Sequence, residues 1–144
     1  MSTNKSLLNK LESSALHSFV NEHITVLFLR VAAGAFILTH GIPKIIKVLT
    51  GDFQFADPLG IGAGISLILS AFAEGVCGLM VLLGLGTRIA SFFLIINMAV
   101  AGFIFHADDP FSGKEKALLF LIIFIVMALF GGGKYSLDHK FFNE

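Results

Sequence analysis

Apolar side chains occupy four long segments of the chain, and short polar stretches separate them. The segments run from about Ile24 to Val48, from Gly60 to Leu85, from Arg88 to His106 and from Lys114 to Phe130. An α-helix needs ~17–25 such residues to cross a hydrocarbon core of about 30 Å, so each segment is a candidate membrane span. The fourth is the weakest, because Lys114 and Lys116 must extend their alkyl stems outward for it to cross.

The connections between these segments are short, which favours antiparallel neighbouring helices. The sequence therefore predicts an all-α fold, an integral membrane four-helix bundle of up-down-up-down topology over residues 23–134. Residues 1–22 are polar, and their apolar positions recur every three or four residues from Leu8 to Phe19. This spacing predicts a short amphipathic surface helix or, alternatively, a soluble tail. Residues 135–144 are predicted to form a C-terminal tail.

Composition supports the assignment to a membrane. Apolar residues make up 56% of the chain and charged residues 14%, and the mean hydropathy is +0.87. Soluble domains average about 25% charged residues, so this chain is far too apolar for that class. The formal net charge of +0 gives no reason to expect a nucleic-acid partner. A single cysteine, Cys77, excludes an internal disulfide and a cysteine-rich zinc or iron–sulfur site.

Two opposite charges lie deep in adjacent predicted helices. Arg30 is about 9 Å from the start of the first helix and Glu74 about 16 Å from the end of the second, measured from the same face. Both lie on stripes of small residues, which let membrane helices approach closely. Because an unpaired charge at this depth is costly, we predict that Arg30 and Glu74 form an intramembrane ion pair. Its role is either to fix helix register or to take part in ligand or proton chemistry.

A second polar layer is predicted at the other end of the bundle. His40 and Lys44 are four residues apart and share a helix face, and Pro43 between them is predicted to kink or end the helix. His106 and Glu115 reach the same end from the third and fourth helices. The four side chains are therefore candidate ligand-binding residues of a polar pocket. The alternative is an interfacial role, with lysines and histidines at the level of the lipid headgroups.

Other arrangements of these groups carry weaker signals. Asn97 and His106 are nine residues apart, so both face the bundle interior only if the helix is distorted near Gly102. A haem held by His40 and His106, or a metal site that adds an acidic neighbour such as Asp108 or Glu115, has no further signature in the sequence. We therefore expect no metal site and no cofactor bound by a recognisable motif, and no catalytic residue can be assigned.

Several motifs resemble those of the DoxX family, in the same order along the chain. They are LRVAAGAFILTHGIPKI in the first helix, AFAEGVCGLMVLLGLGTRIAS in the second and the following turn, NMAVAGFIFH in the third, GKEKALLFL in the fourth and GGGKYSLD near the C-terminus. The resemblance extends from about Leu29 to Asp138. One departure is Lys116, where many family members have a tyrosine.

The resemblance implies a small four-helix protein of the bacterial inner membrane with both termini in the cytoplasm. The family takes its name from a subunit of a thiosulfate:quinone oxidoreductase, so it also implies a membrane subunit of a quinone-linked oxidoreductase system. In that hypothesis His40 and Lys44 donate hydrogen bonds to a quinone oxygen. The expected partners are the lipid bilayer and other membrane subunits or further copies of the chain. A non-enzymatic accessory or assembly subunit is the alternative, and a small-solute carrier is a third hypothesis.

Overall fold

The computed structural model describes residues 22–142, and all of its regular elements are helices. They are α1 (Glu22–Thr50), α2 (Ala63–Leu83), α3 (Thr87–Phe105), α4 (Phe111–Phe130) and the short α5 (Leu137–Phe142). The predicted all-α membrane bundle is confirmed. The predicted surface helix or tail lies outside the described residues, apart from Glu22.

Helices α1, α2 and α3 are long and apolar enough to cross a membrane. Helix α4 has 20 residues, but Lys114, Glu115 and Lys116 lie in its first two turns. This agrees with the sequence, in which the fourth segment is the weakest candidate span because of its lysines. Of the two outcomes predicted at Pro43, a kink or an end, the end does not occur, because helix α1 continues through the proline to Thr50. Membrane helices tolerate proline where neighbouring groups satisfy the freed backbone carbonyl.

Helices α2 and α3 each contain a π-helical turn, in which backbone hydrogen bonds join residues five apart. In α2 the turn is Phe72–Cys77, and in α3 it is Ala101–Phe105. In α3 the His106 N–H donates to the Ala101 carbonyl at 3.0 Å. Such turns are rare and frequently occur at functional sites, since the extra residue changes where the following side chains point.

A tightly packed core joins the helices between the two ends of the bundle. Its fully buried members include Ile37 of α1, Val81 of α2, Leu94 of α3 and Phe124 of α4. Many of the other large apolar side chains are exposed, including Phe28, Phe36 and Phe92. A soluble monomer rarely exposes so much contiguous apolar surface, whereas a bundle surrounded by lipid needs it.

Helices α1 and α2 touch through their backbones at Gly41. A methyl group placed on Gly41 would overlap the backbone of Glu74 and Gly75. Only glycine permits this approach, which brings the next turn of α1, with Lys44, directly beside Glu74.

The last described residues close one end of the bundle, here called the Asp138 end. The Asp138 carboxylate accepts backbone N–H groups of Gly86 at 2.5 Å and Thr87 at 2.9 Å, at the start of α3. Its own N–H donates to the Gly84 carbonyl at 2.8 Å. The segment predicted as a simple tail therefore contains α5 and a cap for α3, because an acidic side chain satisfies free N–H groups at a helix N-terminus.

We expect Gly41→Ala to destabilise the bundle by about 1–3 kcal/mol, the usual cost of overpacking. The measurement is the midpoint of thermal unfolding in detergent. Gly64→Ala is the matched control, because a methyl group on that helical glycine makes only ordinary contacts, 3.5 Å from Phe53. Equal unfolding midpoints for the two variants would show that the α1–α2 contact is not as close as described.

Candidate functional site

Glu74 is the centre of a buried hydrogen-bonding network near the middle of α2. It is the twelfth of the 21 residues of that helix, and its side chain is only 6% exposed. Lys44 Nζ lies 2.5 Å from Glu74 Oε2. Asn97 Nδ2 donates to Glu74 Oε1 at 2.8 Å, and the Ser70 hydroxyl donates to the same oxygen at 3.3 Å. Helices α1, α2 and α3 thus all contribute to the network.

Lys44 is held in the network by a second contact. Its ammonium donates to Ser70 Oγ at 2.9 Å, and its side chain is 20% exposed. The Phe55 ring, from the loop between α1 and α2, lies 5.6 Å from Nζ. An aromatic ring at this distance stabilises a cation further. Lys44 therefore joins the carboxylate, a hydroxyl and the loop.

The predicted Arg30–Glu74 ion pair is wrong, since Glu74 pairs with Lys44 instead. Arg30 is buried, 3% exposed, and its Nη2 donates to the Tyr135 carbonyl at 2.9 Å. A methyl group on Gly84 would overlap the Arg30 guanidinium, so the two groups lie at the same level. Gly84 is about 15 Å further along the chain of α2 than Glu74, and the guanidinium is therefore far from the Glu74 carboxylate. The long arginine side chain therefore extends toward the Asp138 end. The depth of a residue along its helix does not determine the direction in which a long side chain such as that of Arg30 extends.

A cavity of about 670 Å³ extends from Glu74 to the end of the bundle that holds Asp57, here called the Asp57 end. Lys44, Glu74 and Asn97 form its floor. Its walls are largely apolar and come from all four long helices, with residues such as Ile37, Leu69, Phe93, Ile96 and Phe120. Small-molecule sites typically have this volume and this combination of apolar walls with a few polar groups.

Three of the four predicted ligand-binding residues line this cavity: His40, Lys44 and His106. Glu115 does not, and it is exposed. The next residue of α4, Lys116, lines the cavity in its place. Consecutive helical residues point about 100° apart, so only one of two neighbours faces inward. The prediction that Glu115 belongs to the pocket is therefore wrong.

The π-helical turn of α3 resolves the conflict between Asn97 and His106. Both line the cavity, and Gly102 lies within the turn that separates them. The distortion near Gly102 that an inward position of both side chains requires is thus present. His106 also has a partner that sequence reasoning missed, because its Nδ1 lies 2.6 Å from Asp109 Oδ2. The spacing of three residues across a helix end is too common a pattern to have indicated this pair.

Two further residues of the network were weakly indicated by sequence. Ser70 precedes Glu74 by four residues, the spacing that places side chains on one helix face, and Asn97 is an amide in an apolar helix. Within residues 22–142 there is no group of three His, Cys, Asp or Glu side chains arranged to hold a metal ion.

Asp57 organises the loop that covers the cavity at its end. Its carboxylate accepts N–H groups from Ile61 at 3.0 Å and Gly62 at 2.8 Å, and the Ser66 hydroxyl at 2.9 Å. The Gly62 hydrogen bond is the main reason that the pKa of Asp57 lies below its ordinary value. Loop residues Phe55 and Ile61, among others, line the cavity, so this carboxylate shapes its mouth.

As the pH falls, we expect the loop to keep these hydrogen bonds at pH values where aspartates with an unshifted pKa are already protonated. Because the folded-state pKa of Asp57 is lowered, their contribution is present above the unfolded pKa and is lost as pH falls through the folded one. Asp57→Asn should speed hydrogen exchange at the Ile61 and Gly62 amides at neutral pH. The control Asp52→Asn, whose carboxylate accepts the Gln54 N–H, should leave those two amides unchanged. Unchanged exchange in Asp57→Asn would contradict the assignment.

We expect Lys44→Met and Glu74→Gln each to cost about 3–5 kcal/mol of stability, because each leaves the other charge buried and unpaired. The double variant should recover part of that loss, since neither charge remains. Thermal unfolding in detergent measures all three. Lys47→Met is the matched control, because Lys47 pairs with Asp52 at 3.4 Å on the exposed surface and should change stability little. Additive losses in the double variant would mean that the two residues are not coupled.

Comparisons with known proteins give the following matches. Residues 25–107 match the family model described as DoxX. An uncharacterized protein of Haemophilus influenzae is 30% identical over 128 residues, which cover 81% of this chain and 90% of that protein. A protein of Bacillus subtilis named "Putative oxidoreductase CatD" is 30% identical over 116 residues, 80% of this chain and 85% of that protein. No solved structure matches the chain.

Proposed function

Because the chain belongs to the DoxX family, we propose that it is the ligand-binding membrane subunit of a quinone-linked oxidoreductase system. A quinone occupies the cavity in this proposal. The link to redox chemistry draws on the name of the Bacillus subtilis relative, and the choice of ligand draws on the cavity itself.

The observation that carries the proposal is the distribution of polar groups in the cavity. Lys44, Glu74 and Asn97 lie together at the floor, and the walls above them are largely apolar. A quinone has two carbonyl oxygens on a small ring and an apolar chain. The ring oxygens need hydrogen-bond donors, and the chain needs apolar surface that continues into lipid. Hydrogen-bond donors and apolar walls line the same cavity, which supports the proposal.

Lys44 is the principal donor toward a ligand oxygen. Its ammonium carries three N–H bonds, of which one faces Glu74 and one Ser70, so one remains for the ligand. His40 also lines the cavity, and its ring contacts the edge of Phe120 at 6.5 Å between centroids. When bound, a quinone supplies two-electron redox chemistry. The residues of this chain bind it, orient it and limit the access of water.

The proposal includes the location of the protein and its orientation in the membrane. We place the protein in the bacterial inner membrane, with the Asp138 end and both termini in the cytoplasm. Glu22 of α1 and His139 of α5 line the same small cavity at the Asp138 end, which brings the first and last described helices to one side. Electrons pass between the quinone and another subunit or a soluble partner in this scheme.

Binding of a defined quinone tests the proposal. The purified protein in lipid nanodiscs should bind a decyl-substituted benzoquinone, and lipid extracted from the freshly purified protein should contain quinone. The Lys44→Met/Glu74→Gln double variant should bind the probe about tenfold more weakly or worse, since it lacks the charged donor. Lys47→Met should bind like the unaltered protein. If the unaltered protein binds no quinone yet copurifies with a membrane complex, the accessory-subunit alternative replaces this proposal.

A further inference from the structure

His106 and Asp109 form a dyad at the mouth of the cavity. Their side chains are 31% and 50% exposed, and 2.6 Å separates Nδ1 from Oδ2. His106 lines the cavity, and Asp109 supports the ring from outside it. An ionised carboxylate can only accept a hydrogen bond, so the proton must lie on Nδ1. In the neutral ring, Nε2 is then a lone-pair acceptor available to a ligand.

The surroundings of the dyad fix the orientation of the imidazole ring. The ring follows directly on the π-helical turn of α3, and the edge of the Phe105 ring lies against it at 4.6 Å between centroids. The Asp109 N–H donates to the His106 carbonyl at 3.2 Å. From α4, Lys114 Nζ donates to the Ala107 carbonyl at 3.0 Å, which holds the segment between the helices. The acceptor is therefore held by contacts on both sides.

The other polar groups of the cavity differ from the dyad. His40 also lines it, but no hydrogen bond among the described side chains fixes the tautomer of its ring. Lys44 and Lys116 are donors only. The Glu74 carboxylate lies at the floor instead of the mouth, with Oε1 toward Asn97 and Ser70 and Oε2 toward Lys44. The cavity thus offers a cationic donor at its floor and a histidine acceptor at its mouth.

We infer that the His106–Asp109 dyad accepts a hydrogen bond from a ligand hydroxyl, so that the cavity prefers the hydroquinone to the quinone. This inference rests on the proposed function, in which a quinone-type ring occupies the cavity. A quinone oxygen carries no proton. Its lone pair would face the lone pair of Nε2, and the two would repel each other. A hydroquinone hydroxyl donates to Nε2, and its second oxygen still accepts from Lys44. The reduced ligand satisfies both ends of the site.

The test compares the two redox forms of one probe. The decyl-substituted benzoquinone and its hydroquinone are titrated anaerobically into the protein in nanodiscs, in one buffer at the same pH. The unaltered protein should bind the hydroquinone about five- to tenfold more tightly, the ratio that one net hydrogen bond provides. His106→Phe should abolish the preference and leave quinone affinity within about twofold.

The Asp109→Asn variant distinguishes a role of the dyad in ligand recognition from a purely structural role. An asparagine can either accept from or donate to Nδ1, so the ring loses its fixed tautomer and the preference should fall toward unity. Asp108→Asn is the matched control, since it removes the same charge one residue away and should keep the preference. A drop in affinity for both forms by the same factor in Asp109→Asn would overturn the inference.

The remaining outcomes distinguish the two proposals. Equal affinities in the unaltered protein, or tighter binding of the quinone, would overturn the preference and leave quinone binding itself intact. Binding of neither form would overturn the proposed function, and the inference with it.

Discussion

The cost of burying charge near the middle of a membrane helix shapes this bundle. Glu74 is tolerable there only because Lys44, Ser70 and Asn97 surround its carboxylate, and these three side chains come from three helices. Any sliding of one helix against another would separate a charge from its partner at a cost of several kcal/mol. The same groups that fix the register of α1, α2 and α3 are also the polar floor of the cavity.

The backbone near this network departs from ideal α-helical geometry in both α2 and α3. Gly41 allows α1 to touch the backbone of α2 at Glu74 itself. The π-helical turn Phe72–Cys77 contains Glu74, and Ala101–Phe105 lies between Asn97 and His106. Apolar packing alone would favour regular α-helices. Both irregular turns instead occur beside polar side chains that line the cavity.

Sequence reasoning predicts the four long helices, the end of the bundle where polar residues gather, and three of the cavity residues, because apolar run length and helical phase determine these features. It does not predict which polar side chains form ion pairs or hydrogen bonds with each other. Arg30 and Glu74 lie at similar estimated depths, but the arginine side chain extends toward Tyr135. That direction depends on a carbonyl supplied by a segment 105 residues away. The His106–Asp109 dyad likewise depends on a helix end whose geometry no periodicity specifies.

The two ends of the bundle differ in how firmly their polar groups are held. At the Asp138 end the carboxylate caps α3 and a backbone N–H of α5 binds Gly84, so the chain closes that end with its own hydrogen bonds. At the Asp57 end the cavity is covered by a loop whose hydrogen bonds come from exposed side chains, those of Asp57, Asp52 and Lys47. Opening the first end would leave the buried Arg30 without its hydrogen bond to the Tyr135 carbonyl. In the proposed function the Asp57 end is thus the side of the cavity open to a ligand from water, because the Asp138 end is closed by hydrogen bonds within the chain.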